Sequence, residues 1–94
     1  MEDISVMLDG YKFNYRVAAI IKKDGKILLH KSKKDNFYAI PGGRVKVGES
    51  SIKTLKREFI EEMGKDINVK DFTGLVENFF EYNGKKYHEI MFVH

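Results

Sequence analysis

The sequence predicts an α+β fold in which strands predominate and one helix lies between them. Three dipeptides, Asp9-Gly10, Asp24-Gly25 and Asn83-Gly84, separate β-prone runs and favour the type I′ turns of hairpins. One stretch, from about residue 51 to 63, carries apolar residues at helical spacing. No repeat, low-complexity segment or linker interrupts the 94 residues, so residues 1–94 are read as a single domain.

In chain order, residues 17–21 are an apolar run fit for a buried strand, and 26–30 should pair with it across Asp24-Gly25. Residues 37–40 read as another short strand stopped by Pro41, after which Pro41-Gly42-Gly43 breaks regular structure. Phe37 and Tyr38 could stack on a base but are read as core. Ser50 or Ser51 can cap the free N–H groups that open the helix, and Gly64 suits the left-handed position that ends it. Ile52, Leu55, Phe59, Ile60 and Met63 form the predicted core face of this helix, with Lys56 at its margin snorkelling outward. Residues 71–82 and 86–93 read as a hairpin about Asn83-Gly84.

Composition narrows the function classes. With 43% hydrophobic and 13% aromatic residues, the chain can pack a core. No apolar run approaches the roughly 20 residues of a membrane span, and the acidic start lacks a signal-peptide pattern. Cysteine is absent, which excludes disulfides and thiolate zinc sites. The expectation is a cytoplasmic protein with no membrane partner. The formal charge is +3, although the helix is rich in acid. Lys31, Lys33, Lys34 and Arg44 then form a basic rim suited to a polyphosphate. A nucleic-acid partner is not expected, since no nucleic-acid-binding motif is present.

Glu58, Glu61 and Glu62 stand at i, i+3 and i+4, which places three carboxylates within an arc of roughly 100° on the helix. Like charges so crowded repel. A hard divalent cation relieves this, because it takes a few carboxylate oxygens and completes its shell with water and phosphate. Magnesium is the expected cofactor, with manganese an alternative. His30, His88 and His94 lack metal-ligand spacing and are assigned no role.

Gly43, Glu49 after five intervening residues, Arg57-Glu58 after seven more, then Glu61-Glu62 and Gly64 together resemble the Nudix box. That is the signature of hydrolases acting on a nucleoside diphosphate linked to another group. The chain departs from the family pattern at Lys65, where an aliphatic residue is usual, and Phe59 is bulkier than the common choice. The resemblance implies a mixed β-sheet, normally in an α/β/α sandwich with a second helix. Because residues 89–94 form a strand-like run, the expectation is a domain lacking its C-terminal part. An apolar sheet face would then be uncovered or buried against another chain, with a second copy of this one as a candidate partner.

Carried over residue by residue, the resemblance makes Glu58, Glu61 and Glu62 metal ligands, joined by the backbone carbonyl of Gly42. Arg57 orients the glutamates and reaches Glu61 at i+4. Glu49 is its partner or a supporting group. Gly43, Arg16 and Arg44 are the candidate substrate contacts. Glu58 is the chosen general base and Glu89 a second candidate, while in relatives a later loop can supply one. The expected reaction is magnesium-dependent hydrolysis of a phosphoanhydride, with nucleoside triphosphates favoured as substrates. The alternatives are a catalytically inactive Nudix-like module that binds a nucleotide or partner, and an RNA 5′-end pyrophosphohydrolase.

Overall fold

A computed structural model describes residues 1–31, 38–70 and 72–94 of the chain. β1 (Ser5–Leu8) turns through Asp9-Gly10 into β2 (Tyr11–Ala18). β3 (Lys22–Lys23) and β4 (Lys26–Ile27) make a small hairpin, and β5 (His30–Lys31) pairs with β6 (Tyr38–Ala39). β7 (Gly42–Arg44), α1 (Ser51–Met63), β8 (Gly74–Tyr82) and β9 (Lys85–Val93) complete the order. At the three predicted turns Asp9, Asp24 and Asn83 take φ of 48°, 53° and 52°, each followed by a glycine of positive φ, as type I′ geometry demands.

The main sheet runs β1-β2-β9-β8, with β7 beside β1 along the same edge of β2. β2 and β9 are parallel, setting Asn14 opposite Glu89, and the other pairs are antiparallel, so the sheet is mixed. Side chains alternate between its two faces. Val17 and Ala19 pack with Val45, Leu55 and Phe59 in the buried cluster, and Tyr15 and Phe92 join them from the same face. That face carries α1. Asn14, Arg16 and Ala18 of β2, with Glu89 and Met91 of β9, occupy the other.

The helix has the predicted ends. Ser50 accepts a hydrogen bond from the Lys53 N–H at 3.2 Å, and Gly64, at φ 66°, donates to Ile60 O at 2.9 Å. Its roll differs from the prediction. Leu55 and Phe59 are buried, but so is Thr54, whereas Ile60 is 54% and Met63 40% exposed. The buried arc is turned away from Ile60 towards Thr54 and Glu58, because Thr54 and Arg57 are both tied to Glu49 ahead of the helix. Lys56 is exposed, as expected.

Two other expectations need correction. The strand predicted at 17–21 ends at Ala18 and begins at Tyr11, because the polar residues of 11–16 pair with β1 and β9. Pro41-Gly42-Gly43 does not only break structure, since Gly42–Arg44 is a strand against β2. A Cβ at Gly42 would overlap the Val17 carbonyl oxygen, so only glycine permits this approach. Phe37, Lys33, Lys34 and Asp71 lie outside the described residues, and of Lys31 and Tyr38 only the backbone is described.

Among the described residues α1 is the only α-helix, and none covers the second sheet face. Val76, Phe80 and Tyr82 of β8 are exposed there. No helix of the described residues is long and apolar enough to cross a membrane. In denaturant titration, Leu55→Ala should lose about 2–5 kcal/mol of stability. Ile60→Ala should change it by no more than about 0.5 kcal/mol. Equal losses would mean that the helix roll described here is wrong.

Candidate active site

The site is organised on one guanidinium. Arg57 donates from Nε to Glu49 Oε2 at 2.8 Å and from Nη2 to Glu49 Oε1 at 3.0 Å, a bidentate pair. Its Nη1 reaches Glu58 Oε1 at 3.0 Å and Glu61 Oε2 at 3.3 Å, and Nη2 also reaches the Arg44 carbonyl at 3.3 Å. One residue thereby joins the loop before the helix, two helical carboxylates and the end of β7.

Glu49 is held from several sides. Its Oε1 accepts from the Thr54 hydroxyl at 3.0 Å and from the Lys46 N–H at 3.2 Å. These donors, Arg57 first, outweigh partial burial and lower the Glu49 carboxyl from 4.5 to about 2. The Arg57 guanidinium is raised in turn, chiefly by its bonds to Glu49.

Glu58 moves the other way. Burial raises its pKa above 4.5, and Glu62 and Glu61 add to the rise, while Arg57 opposes it. The side chain lies on Gly43, where an added Cβ would sit 2.6 Å from Glu58 Oε1. Any larger residue at Gly43 displaces the carboxylate. Arg57 takes Glu58 Oε1, and Oε2 makes no hydrogen bond among the described residues.

The predicted site residues thus separate into groups. Glu49, Arg57, Glu58 and Glu61 come together, with Gly43 beneath Glu58. Glu62 is exposed and makes no ion pair among the described residues. The Gly42 carbonyl points off the edge of β7 that pairs with no strand among the described residues. Ala19 N–H bonds Pro41 O and Val45 N–H bonds Tyr15 O, so by antiparallel alternation the carbonyls of Gly42 and Arg44 face away from β2. Arg16 and Arg44 stand directly opposite each other on the sheet face turned from α1, as does Glu89, which therefore does not share the cluster of helical carboxylates. Arg44 lies 3.7 Å from Asp3, and Arg16 4.0 Å from Glu89.

No three His, Asp or Glu side chains among the described residues converge closely enough to chelate an ion, because Glu58 and Glu61 are turned towards Arg57. The donor set still suits a hard cation: adjacent carboxylates, an outward backbone carbonyl and a surplus of negative charge that helps to raise Glu58.

Sequence reasoning missed Thr54, Asn14 and the tie made by His94. Thr54 is a hydroxyl on a buried helix arc, five residues after Glu49, and that position was the available signal. His94 donates from Nδ1 to Lys70 O at 2.9 Å and meets the Ser51 hydroxyl through Nε2 at 2.7 Å, pinning the loop after α1 to the helix start. A cavity of about 590 Å³ lined by Ile20, Ile67, Val69 and His94 lies beside this tie and contains none of the cluster carboxylates.

A sequence model of the NUDIX domain matches residues 12–94. The chain belongs to the Nudix family. It is 44% identical over 62 residues to an ADP-ribose pyrophosphatase of Methanocaldococcus jannaschii, a match covering 63% of this chain and 37% of that protein. It is 40% identical over 60 residues to the CTP pyrophosphohydrolase of Escherichia coli, covering 60% of this chain and 44% of that one. Its structure superposes on a MutT protein of Methanosarcina mazei with a TM-score of 0.66 at 30% identity, over 93% of this chain and 65% of that one. The matched stretches thus span less than two thirds of these Nudix relatives.

A Nudix glutamate held so low has a stability signature. Its folded pKa lies below the unfolded value, so its contribution is complete above pH 4.5 and is lost as pH falls towards about 2. The size is on the order of 3 kcal/mol. Glu58, with a raised folded pKa, acts in the opposite sense, losing stability as pH rises above 4.5. Acid titration of stability should therefore show a fall below pH 4.5 that Glu49→Gln largely removes. A variant with an unchanged acid limb would show that Arg57 does not hold Glu49 as described.

Proposed function

We propose that this chain carries the catalytic centre of a pyrophosphohydrolase that cleaves a phosphoanhydride in a nucleoside diphosphate linked to another moiety. A nucleoside triphosphate is the favoured substrate. The observation that carries this reading is the Arg57 hub, which holds Glu49, Glu58 and Glu61 around a glycine strand in a chain of the Nudix family. The names of the relatives, ADP-ribose pyrophosphatase and CTP pyrophosphohydrolase, support the same bond class.

Glu58, Glu61, Glu62 and the Gly42 carbonyl would hold magnesium or manganese. Such an ion neutralises phosphate charge and lowers the pKa of a bound water. The residues of the chain do the rest. Arg57 fixes the carboxylates from behind, so their repulsion does not scatter them. Glu58 takes the proton of the attacking water at Oε2, the oxygen Arg57 leaves free, and its raised pKa favours that acceptance. The water oxygen bonds to phosphorus, the bridging P–O bond breaks, and its electron pair leaves with the departing phosphate. Arg16 and Arg44 grip phosphates from the other face, past the glycines of β7. Products are a nucleoside monophosphate and a second phosphate species.

Turnover of a nucleotide panel with magnesium tests this. Glu61→Gln should reduce it at least a hundredfold while leaving the melting temperature nearly unchanged, since Glu61 is an exposed partner of Arg57. Full activity in that variant would refute the assignment. Turnover confined to 5′-triphosphorylated RNA, with steep loss on adding salt, would replace the mononucleotide reading with the RNA one.

A further inference from the structure

The face of the sheet turned away from α1 holds a second polar cluster that the hydrolytic centre does not use. Asn14 is 1% exposed and Glu89 6%. Ser5 donates to Asn14 Oδ1 at 2.5 Å, and Asn14 Nδ2 donates to Glu89 Oε2 at 2.8 Å. Both polar atoms of the Asn14 side chain are thus engaged, and its Nδ2 fixes one carboxylate oxygen of Glu89. The other, Oε1, makes no hydrogen bond among the described residues. Because no buried side-chain oxygen or nitrogen among them lacks a partner, Oε1 reaches solvent.

Around Glu89 lie three further polar side chains. Asn78 stands directly opposite Glu89 on β8, and its amide makes no hydrogen bond among the described residues. Arg16 lies on the other side, with Arg44 opposite it in a pair that exchanges no backbone hydrogen bonds, the closer of the two antiparallel spacings. Neither guanidinium makes a hydrogen bond among the described residues, and each has only a long ion pair, at 4.0 and 3.7 Å. Two like charges set directly opposite destabilise a sheet unless an anion sits between them. Two positions along, Phe80 and Tyr87 stack at 4.9 Å on the same face. Guanidiniums for phosphate, a carboxylate and amide for a polar edge, and an aromatic surface therefore line up across β7, β2, β9 and β8.

We propose that Glu89 is a specificity-determining residue. Its Oε1 accepts a hydrogen bond from an N–H or O–H donor of the nucleoside, while Arg16 and Arg44 hold the adjoining phosphates. This deepens the pyrophosphohydrolase reading and rests on it for the reaction, though not for binding. The donor is either the exocyclic amino group of a base or a ribose hydroxyl. Glu89 is 6% exposed, so a bound nucleoside completes the burial of Oε1, and an analogue lacking the donor leaves that acceptor unpaired.

Binding, which needs no turnover, tests the assignment. ADP and CDP are titrated into the unaltered chain with NMR detection, and the tighter one is carried forward. It should shift the backbone amide signals of Asn14, Asn78 and Glu89 together with those of Arg16 and Arg44, whereas inorganic pyrophosphate should shift the two arginines alone. The counterpart lacking the exocyclic amino group, and the 2′- and 3′-deoxy forms, separate the two donors. Loss of about tenfold or more in one arm names the donor. In Glu89→Gln, Asn14 Nδ2 claims the remaining oxygen and the new amide presents a donor, so the named discrimination should fall to about twofold while pyrophosphate binding is retained. The proposal is overturned if neither nucleotide binds, if Asn14, Asn78 and Glu89 stay silent, if no arm loses affinity, or if a folded Glu89→Gln keeps full discrimination. Failure of the hydrolase reading shows separately, as full turnover in Glu61→Gln.

Discussion

The bidentate bond between Arg57 and Glu49 is the constraint on which the rest of the site depends. An arginine fork matched to a carboxylate is directional as well as strong, so it sets an angle and not only a distance. Here that angle sets the roll of α1. The helix could bury its widest apolar stripe by turning Ile60 and Met63 inward. It buries Thr54 instead, because Thr54 and Arg57 must both meet Glu49. Once rolled, the helix lays Glu58 on Gly43 and brings Glu61 under the same guanidinium.

The sheet divides the labour. Its covered face supplies the apolar floor, Val17, Ala19 and Phe92, that seats α1 and its carboxylates. Its other face bears the arginines and the Ser5–Asn14–Glu89 chain. The two meet at β7, a three-residue edge strand whose glycines carry no side chain to separate them. The absence of Cβ at Gly42 lets β7 close on β2, and at Gly43 it leaves room for Glu58. The same strand also turns the Gly42 carbonyl away from β2.

Charge is distributed to match. Glu49 is pulled far down by its donors and stays ionised through the working range. Glu58, one step away under the same arginine, is pushed up by burial and by its acidic neighbours. Two carboxylates that share one guanidinium thus differ in proton affinity because one is saturated with donors and the other is not. This asymmetry makes Glu49 a fixture and leaves Glu58 the more readily protonated of the two.

Much of this was legible in the chain. The hairpin turns at Asp9, Asp24 and Asn83, the helix with its Ser50 and Gly64 ends, and the spacing from Gly43 to Gly64 are local, and local rules of backbone sterics and capping decide them. Family membership follows from that spacing, as does the reach of Arg57 to Glu61 one turn on. The tertiary structure decided the helix roll, the strand at Gly42–Arg44, the burial of Thr54 and the meeting of Asn14 with Glu89, 75 positions apart. Those depend on which donors and acceptors are brought together across elements. A pattern along one chain records period and spacing, but it does not record which partner an unsatisfied polar group will find.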